Sequence, residues 1–130
     1  MRTKLSHMKN TSTLALLTGF VFLFASCSKQ DYYAGPTEEE QWMRTHEKGT
    51  VAAIDYRTGN YIVETYQGYA VIDSWGSIAP RVYDNEFAWF SNPGMQTIYN
   101  YEGNYFTRAR VVESWLSWPD ALSILDQISR

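Results

Sequence analysis

Short runs of alternating residues, separated by turn signals, fill the chain from position 50 to position 113. Branched and aromatic residues, which favour strands, dominate these runs, and the breaks between them carry Gly, Asn or Pro, as at 59–60 and 91–94. Strands recurring at this spacing are typical of small all-β domains. We predict six strands, of which the first three form a β-meander: 51–56, 61–66, 69–75, 86–90, 96–101 and 105–113.

A helix is predicted on either side of these strands. Thr37 and Glu40 match a capping box and predict a short helix over 38–48. Near the end of the chain, Ser117 precedes a Trp-Pro-Asp sequence that is typical of a helix start. The apolar stripe of this second helix consists of Ala121, Leu122, Leu125 and Ile128. The stripe has to be buried, either across the sheet or over the mouth of a barrel.

The predicted fold class is mainly β, with a short N-terminal helix and a C-terminal helix. Five to six antiparallel strands form either a small barrel, similar by analogy to OB-fold and SH3-like barrels, or a strongly twisted sheet with a helix packed on one face. A single small domain is expected over 37–130. The polar segment 27–36 before it is interpreted as a flexible tether.

The first 26 residues have the features of an export signal. Basic residues precede an apolar run over 14–25. A membrane-spanning helix needs about 20 apolar residues and a signal-peptide core about 7–15, so the run fits a signal peptide. It ends in Phe24-Ala25-Ser26-Cys27, which resembles the lipobox of bacterial lipoproteins, with Phe24 where Leu is usual. The resemblance implies cleavage before Cys27 and lipid on that cysteine.

That resemblance also implies a location. The mature chain is expected in the cell envelope, lipid-anchored at the outer membrane on its periplasmic or its surface-exposed face. The segment from Ser28 to Tyr33 is similar to the surface-export tether of Bacteroidetes-type lipoproteins. The alternatives are an ordinary secretory signal with an incidental cysteine, or a short uncleaved anchor helix. Because Cys27 is the only cysteine, a disulfide cannot form within the chain, and packing must stabilise the domain.

The charge of the mature chain argues against some partners. All 14 acidic residues follow position 26, whereas three of the 11 basic residues precede it, so eight basic residues remain and the net charge is −6. A chain this acidic lacks the attraction that draws proteins to nucleic acid or to anionic lipid. We therefore expect no nucleic-acid partner.

The sequence offers little for catalysis. His46 is the only histidine after the leader, and both a His-based metal site and a nucleophile–histidine pair need further groups. Glu64 and Asp73, on neighbouring predicted strands, could face each other as in glycoside hydrolysis, but acids on alternating strands normally face solvent. We expect a protein without enzymatic activity, cofactor or metal. A small carboxylate-dependent glycan hydrolase is the less favoured alternative.

Aromatic residues point instead to binding. They make up 16% of the chain, and exposed Trp and Tyr can stack on sugar rings or anchor a protein partner, although buried ones only fill a core. The candidate contact residues are Trp75, Phe87, Trp89, Tyr99 and Tyr101. They predict a lipid-anchored binding or accessory module for a protein or glycan partner, with a structural subunit of an envelope complex as the alternative.

Overall fold

A computed structural model of the chain describes residues 35–130, so the predicted signal peptide and the predicted lipidation site, Cys27, lie outside the described residues. The elements are α1 (Glu38–Thr45), β1 (Glu47–Ile54), β2 (Tyr61–Thr65), β3 (Gly68–Asp73), β4 (Asn85–Ala88), β5 (Gly94–Asn100), β6 (Tyr105–Leu116) and α2 (Trp118–Ile128). Every predicted helix and strand is present, with its ends moved by up to four residues. Neither α1 nor α2 is long and apolar enough to cross a membrane.

The six strands close into an antiparallel barrel. Their order around the barrel is β1-β2-β3-β6-β5-β4, and β4 pairs again with β1. Two three-stranded meanders are thus joined along both edges, by the β3–β6 and the β1–β4 pairings. The sheet is therefore a closed barrel and not the open, twisted sheet of the alternative prediction. Because the barrel is closed, each of its six strands pairs with a neighbour on both sides.

The strands bury side chains on both of their faces. In β2, Val63 points into the barrel and its neighbour Ile62 points outward, yet both are fully buried. The interior core consists of Val51, Tyr61, Val63, Ala70, Ile72, Ala88, Phe90, Ile98, Ala109 and Val111. The outer core consists of Ile62, Val71, Ala121 and Leu125. Helix α2 therefore covers the outer face of the sheet rather than the barrel mouth, and Leu122 of the predicted stripe stays 41% exposed.

Helix α1 lies against the outside of the barrel and is anchored by Trp42. The indole N–H of Trp42 donates to the carbonyl oxygen of Phe87 at 2.8 Å. Its ring meets Phe106 edge to face, with centroids 5.4 Å apart, and stacks on His46 at 3.8 Å. The Thr37 hydroxyl accepts from the Glu40 amide, which confirms the predicted N-cap. His46 is thus a half-buried packing residue at the end of the helix.

One end of the barrel is covered by a chain segment. Because β3 and β4 lie on opposite sides of the barrel, the connection between them, 74–84, has to cross from one side to the other. The β1–β2 turn (55–60) and the β5–β6 turn (101–104) emerge at this same end, since neighbouring strands are antiparallel. These three segments are called the crossing end below.

A buried polar cluster fixes the crossing end to α2. The Asn60 Oδ1 accepts from the Ser74 amide at 3.0 Å, and its Nδ2 donates to the Ser129 hydroxyl and to the carbonyl of Ile128, each at 3.4 Å. Asn60, Ser74 and Ser129 are all buried. One amide side chain thus joins the β1–β2 turn, the connection and the end of α2, so the crossing end rests on a rigid support.

Candidate functional site

The five aromatic candidates are divided among three places. Trp75 and Tyr101 lie on the crossing end, 65% and 55% exposed. Trp89 follows β4 at the opposite end, partly exposed, with its ring centroid 4.7 Å from that of His46. Phe87 and Tyr99 form a cross-strand pair on β4 and β5. Of the five, only Trp75 and Tyr101 therefore lie on the crossing end.

Phe87 and Tyr99 lie on the packed outer face of the barrel, away from the exposed aromatic residues. Tyr99 is 4% exposed, its ring packs on Phe106, and its hydroxyl donates to Asn104 at 2.7 Å. Phe87 is half-buried on the barrel face where Trp42 of α1 docks. Both side chains are used in packing the outside of the barrel, so a partner cannot reach Tyr99 without displacing this packing.

Three exposed side chains that were not among the candidates complete the crossing end. They are Tyr56 in the β1–β2 turn, and Ile78 and Tyr83 in the connection. The signal in the sequence is their position in turns: loops run over the surface, so an aromatic residue in a loop has a greater chance of exposure than one in a strand. Together with Trp75 and Tyr101 they make the crossing end rich in aromatic surface.

Two of these aromatic residues have strained backbones. Trp75 has φ 54° and Tyr83 has φ 76°, in the left-handed region that favours glycine. Hydrogen bonds hold both in place: the Trp75 amide donates to the Asp73 carboxylate at 3.1 Å, and the Tyr83 amide to the Val51 carbonyl at 2.8 Å. Strain of this kind concentrates at functional sites, where the surrounding structure enforces it.

A cleft of about 320 Å³ opens at the crossing end, between the connection and the β5–β6 turn. Its walls carry the carboxylates of Asp84 and Glu102, the side chain of Arg81, the ring of Tyr105 and the apolar Ile78. Polar groups that converge on a partly apolar cleft are the usual composition of a ligand site.

Hydrogen bonds fix both acidic walls of the cleft. The Asp84 Oδ2 accepts from the Arg81 amide and from the Asn100 Nδ2, each at 2.9 Å. The Glu102 carboxylate accepts from the amide and from the Nδ2 of Asn85, at 2.8 and 2.7 Å. The two carboxylates are therefore positioned before any ligand arrives.

Glu86 lies inside the barrel next to these walls and is fully buried. Its Oε1 accepts from the Tyr61 hydroxyl at 2.8 Å and its Oε2 from the Asn100 Nδ2 at 3.3 Å. Burial raises the pKa of Glu86 to about 7, against the lowering effect of these two hydrogen bonds. Burial, together with the nearby carboxylates of Glu86 and Asp84, raises the pKa of Tyr105 to about 12.

The acid pair considered for glycan hydrolysis is not assembled. Glu64 lies opposite Tyr69 in the β2–β3 pairing, whereas Asp73 lies at the far end of β3. Glu86, the acid with the most perturbed pKa, is sealed from solvent. Within residues 35–130, no group of three or more potential ligand side chains is arranged to hold a metal ion.

A second group of exposed apolar side chains surrounds the start of α2. Tyr66, in the β2–β3 turn, is fully exposed, and Trp115, Trp118 and Leu122 are partly exposed. Trp115 also has a left-handed backbone, with φ 62°. This group is called the opposite-end patch.

Compared with known proteins, the chain matches no family model, no curated protein and no solved structure. What the crossing end can bind therefore has to be inferred from its own side chains.

Proposed function

We propose that the protein is a non-enzymatic binding module of the cell envelope, lipid-anchored through Cys27, whose crossing end binds a glycan. The observation that carries this proposal is that exposed aromatic side chains lie at the same end of the barrel as a cleft whose carboxylates are already positioned. Nucleic acid is not a partner in this proposal, because the acidic walls of the cleft would repel phosphates.

The chemistry of a sugar ring fits this combination. One face of the ring presents C–H groups that pack on an aromatic ring, and its edge presents hydroxyl groups that donate to carboxylates. Trp75 and Tyr83 supply aromatic surface, while Asp84 and Glu102 supply acceptors. A protein partner is less well matched, since charged residues are depleted from the centres of protein interfaces.

Two features support binding rather than catalysis. Glu64 and Asp73 lie too far apart along β2 and β3 to act as a pair of catalytic acids on one sugar. Glu86 has a pKa suited to an acid catalyst, but it has no exposed surface with which to meet a substrate. The carboxylates that do reach the cleft, Asp84 and Glu102, are held by backbone amides and by Asn side chains.

Lipid anchoring is supported by the residues that precede the domain. The apolar run over 14–25 and the following Ser26-Cys27 are similar to lipoprotein leaders. Intact-mass measurement of the protein from membranes is expected to give a chain that starts at Cys27 with attached acyl groups. A mass that includes Met1, or a free thiol at Cys27, would contradict the anchor.

Glycan-array binding by the processed chain in mild detergent tests the crossing end. Trp75→Ala and Tyr101→Ala are expected to weaken binding about two- to tenfold each, because one aromatic contact contributes about 0.5–1.5 kcal/mol. Tyr66→Ala is the control: its ring is also exposed in a turn, even more fully than those of Trp75 and Tyr101, but it lies at the other end of the barrel. Equal binding by all three variants and the wild type would exclude the crossing end as the glycan site.

The opposite-end patch supports a second candidate function, that of a subunit of an envelope complex. Trp115, Trp118 and Leu122 expose apolar surface around the start of α2, and aromatic residues are enriched in protein interfaces. Size-exclusion chromatography of the protein extracted in mild detergent tests this candidate. Elution with other proteins that is lost in the Trp115→Ser variant would support it, and elution of the wild type alone would contradict it.

A further inference from the structure

We propose that Glu86 acts as a pH-sensitive latch, meaning a buried side chain whose ionisation positions the walls of the cleft through Asn100. The crossing end then binds its ligand more tightly when Glu86 is ionised. The proposal rests on the glycan-binding function proposed above and adds its regulation. It concerns a positioning role: Glu86 is buried and does not contact the ligand itself.

Asn100 connects Glu86 to both sides of the cleft. Its Nδ2 donates to the Glu86 Oε2 at 3.3 Å and to the Asp84 Oδ2 at 2.9 Å. Its Oδ1 accepts from the Gly103 amide at 2.7 Å. Asn100 is fully buried, so water cannot replace any of these partners easily. A movement of this one side chain therefore moves the Asp84 wall and the β5–β6 turn together.

The groups that face Glu86 are all acids or neutral side chains. They are Tyr61 from β2, Asp84 from the connection, Glu102 from the β5–β6 turn and Tyr105 from β6. The β1 residue opposite Glu86 is Gly49, and the β5 residue is Asn100.

No cation compensates the charge of Glu86 within the described part of the chain. The ion pairs there are Arg57–Asp55 and Arg130–Asp126, so the Arg81 guanidinium at the cleft pairs with no carboxylate. An isolated buried carboxylate is ionised reluctantly, and its pKa near 7 makes both forms accessible around neutral pH.

In the ionised form of Glu86 both carboxylate oxygens accept, one from Tyr61 and one from Asn100. A bond to a charged acceptor is stronger than one to a neutral acceptor. When a proton from solvent neutralises Glu86, the bond from Asn100 to Glu86 weakens, while the bond to Asp84 keeps its charge. Asn100 then shifts toward Asp84, and Gly103 moves with Asn100. The two walls of the cleft therefore leave the positions that they have in the structure.

Two measurements on the processed chain test the latch. The first is the amide resonance of Gly103 between pH 5 and pH 9, which is expected to titrate with a midpoint near 7 in the wild type and to stay constant in Glu86→Gln. The second is affinity for a glycan selected on the array, which is expected to fall at least threefold from pH 8 to pH 6 in the wild type only.

Two further variants assign the titrating group. Tyr61→Phe removes a hydrogen bond that lowers the pKa of Glu86, so the midpoint is expected to rise while the carboxyl group remains. This variant keeps the test informative if Glu86→Gln does not fold. His46→Gln is the matched control, because His46 packs on the outside of the barrel and is not among the groups that face Glu86; the Gly103 titration of this variant is expected to be that of the wild type.

The outcomes separate the latch from the glycan-binding function. A Gly103 resonance that does not titrate near neutral pH, or that titrates equally in Glu86→Gln, overturns the latch. Equal glycan affinity at pH 6 and pH 8 also overturns it, even if Gly103 titrates. A glycan array without binders, together with the expected Gly103 titration, refutes the proposed ligand while supporting the movement of the cleft.

Discussion

Glu86 should make the stability of the protein fall as the pH rises through the neutral range. The pKa of Glu86 is about 7 in the folded protein, against 4.5 for an ordinary glutamate, mainly because of burial. Between these values the folded chain keeps a proton that the unfolded chain has released. The contribution of Glu86 to the free energy of unfolding is therefore highest below about pH 4.5. This contribution of the retained proton is lost as the pH rises through about 7.

The size of this effect follows from the pKa difference. Each pKa unit corresponds to about 1.4 kcal/mol, so the rise from 4.5 to about 7 lowers the free energy of unfolding by about 3 kcal/mol between acidic and alkaline pH. This change is a large part of the free energy of unfolding of small domains, which is typically about 5–15 kcal/mol. The pH dependence should thus be measurable by urea unfolding at pH 5, 6, 7 and 8.

The Glu86→Gln variant isolates the contribution of this carboxyl group. A Gln amide oxygen can accept from Asn100 while its Nε2 donates to the Tyr61 oxygen, so both partners stay bonded without a charge. The variant is expected to match the wild type within about 1 kcal/mol at pH 5 and to exceed it by about 1–3 kcal/mol at pH 8. Asp126→Asn, on the exposed side of α2, is the control.

One result would refute this reasoning. If the difference in unfolding free energy between Glu86→Gln and the wild type is the same at pH 5 and at pH 8, the folded and unfolded chains release the Glu86 proton over the same pH range. Folding would then leave the pKa of Glu86 at its ordinary value, and the argument from burial would be wrong.

Three further predictions concern packing and strain. Gly49→Ala should cost about 1–3 kcal/mol in urea unfolding, because an added Cβ would lie 2.7 Å from Val63 and 3.0 Å from Phe90. Leu125→Ala should cost about 2–5 kcal/mol in the same assay, since this side chain fills the core beneath α2. Trp75→Gly should raise the thermal midpoint, as relief of its left-handed backbone is worth about 1–2 kcal/mol, and yet weaken glycan binding; an unchanged midpoint would contradict the strain.

Local signals in the sequence predicted most of the fold. The caps at Thr37 and Ser117 act within one helical turn, and the structure confirms both. The predicted end of α1 lies three residues too late, because a pairing with a distant strand decides where the helix ends. Glu47 and Lys48 are good helix formers, but they pair with Ala88 and Phe87 of β4, which turns them into the first residues of β1.

The candidate site was harder to predict because it depends on which face of β4 is inside. A strand that contains Phe87 would ordinarily bury the ring and expose the acids beside it. In the structure Glu86 and Ala88 point inward, where Tyr61 offers a hydroxyl donor, and Phe87 points outward to the face that Trp42 covers. Neither partner is near β4 in the sequence, so local alternation cannot reveal this choice.

The crossing end and the barrel interior beside it contain residues whose backbone conformation or burial destabilises the folded protein. Trp75 and Tyr83 hold left-handed backbones that glycine would adopt without strain, and their side chains gain little from burial. Glu86 occupies an interior position where an apolar side chain would avoid desolvation of a charge. A third strained residue, Trp115, lies in the opposite-end patch. Because strain of this kind is retained where binding benefits from it, Trp75 and Tyr83 favour the crossing end, and Trp115 the opposite-end patch, as candidate binding surfaces.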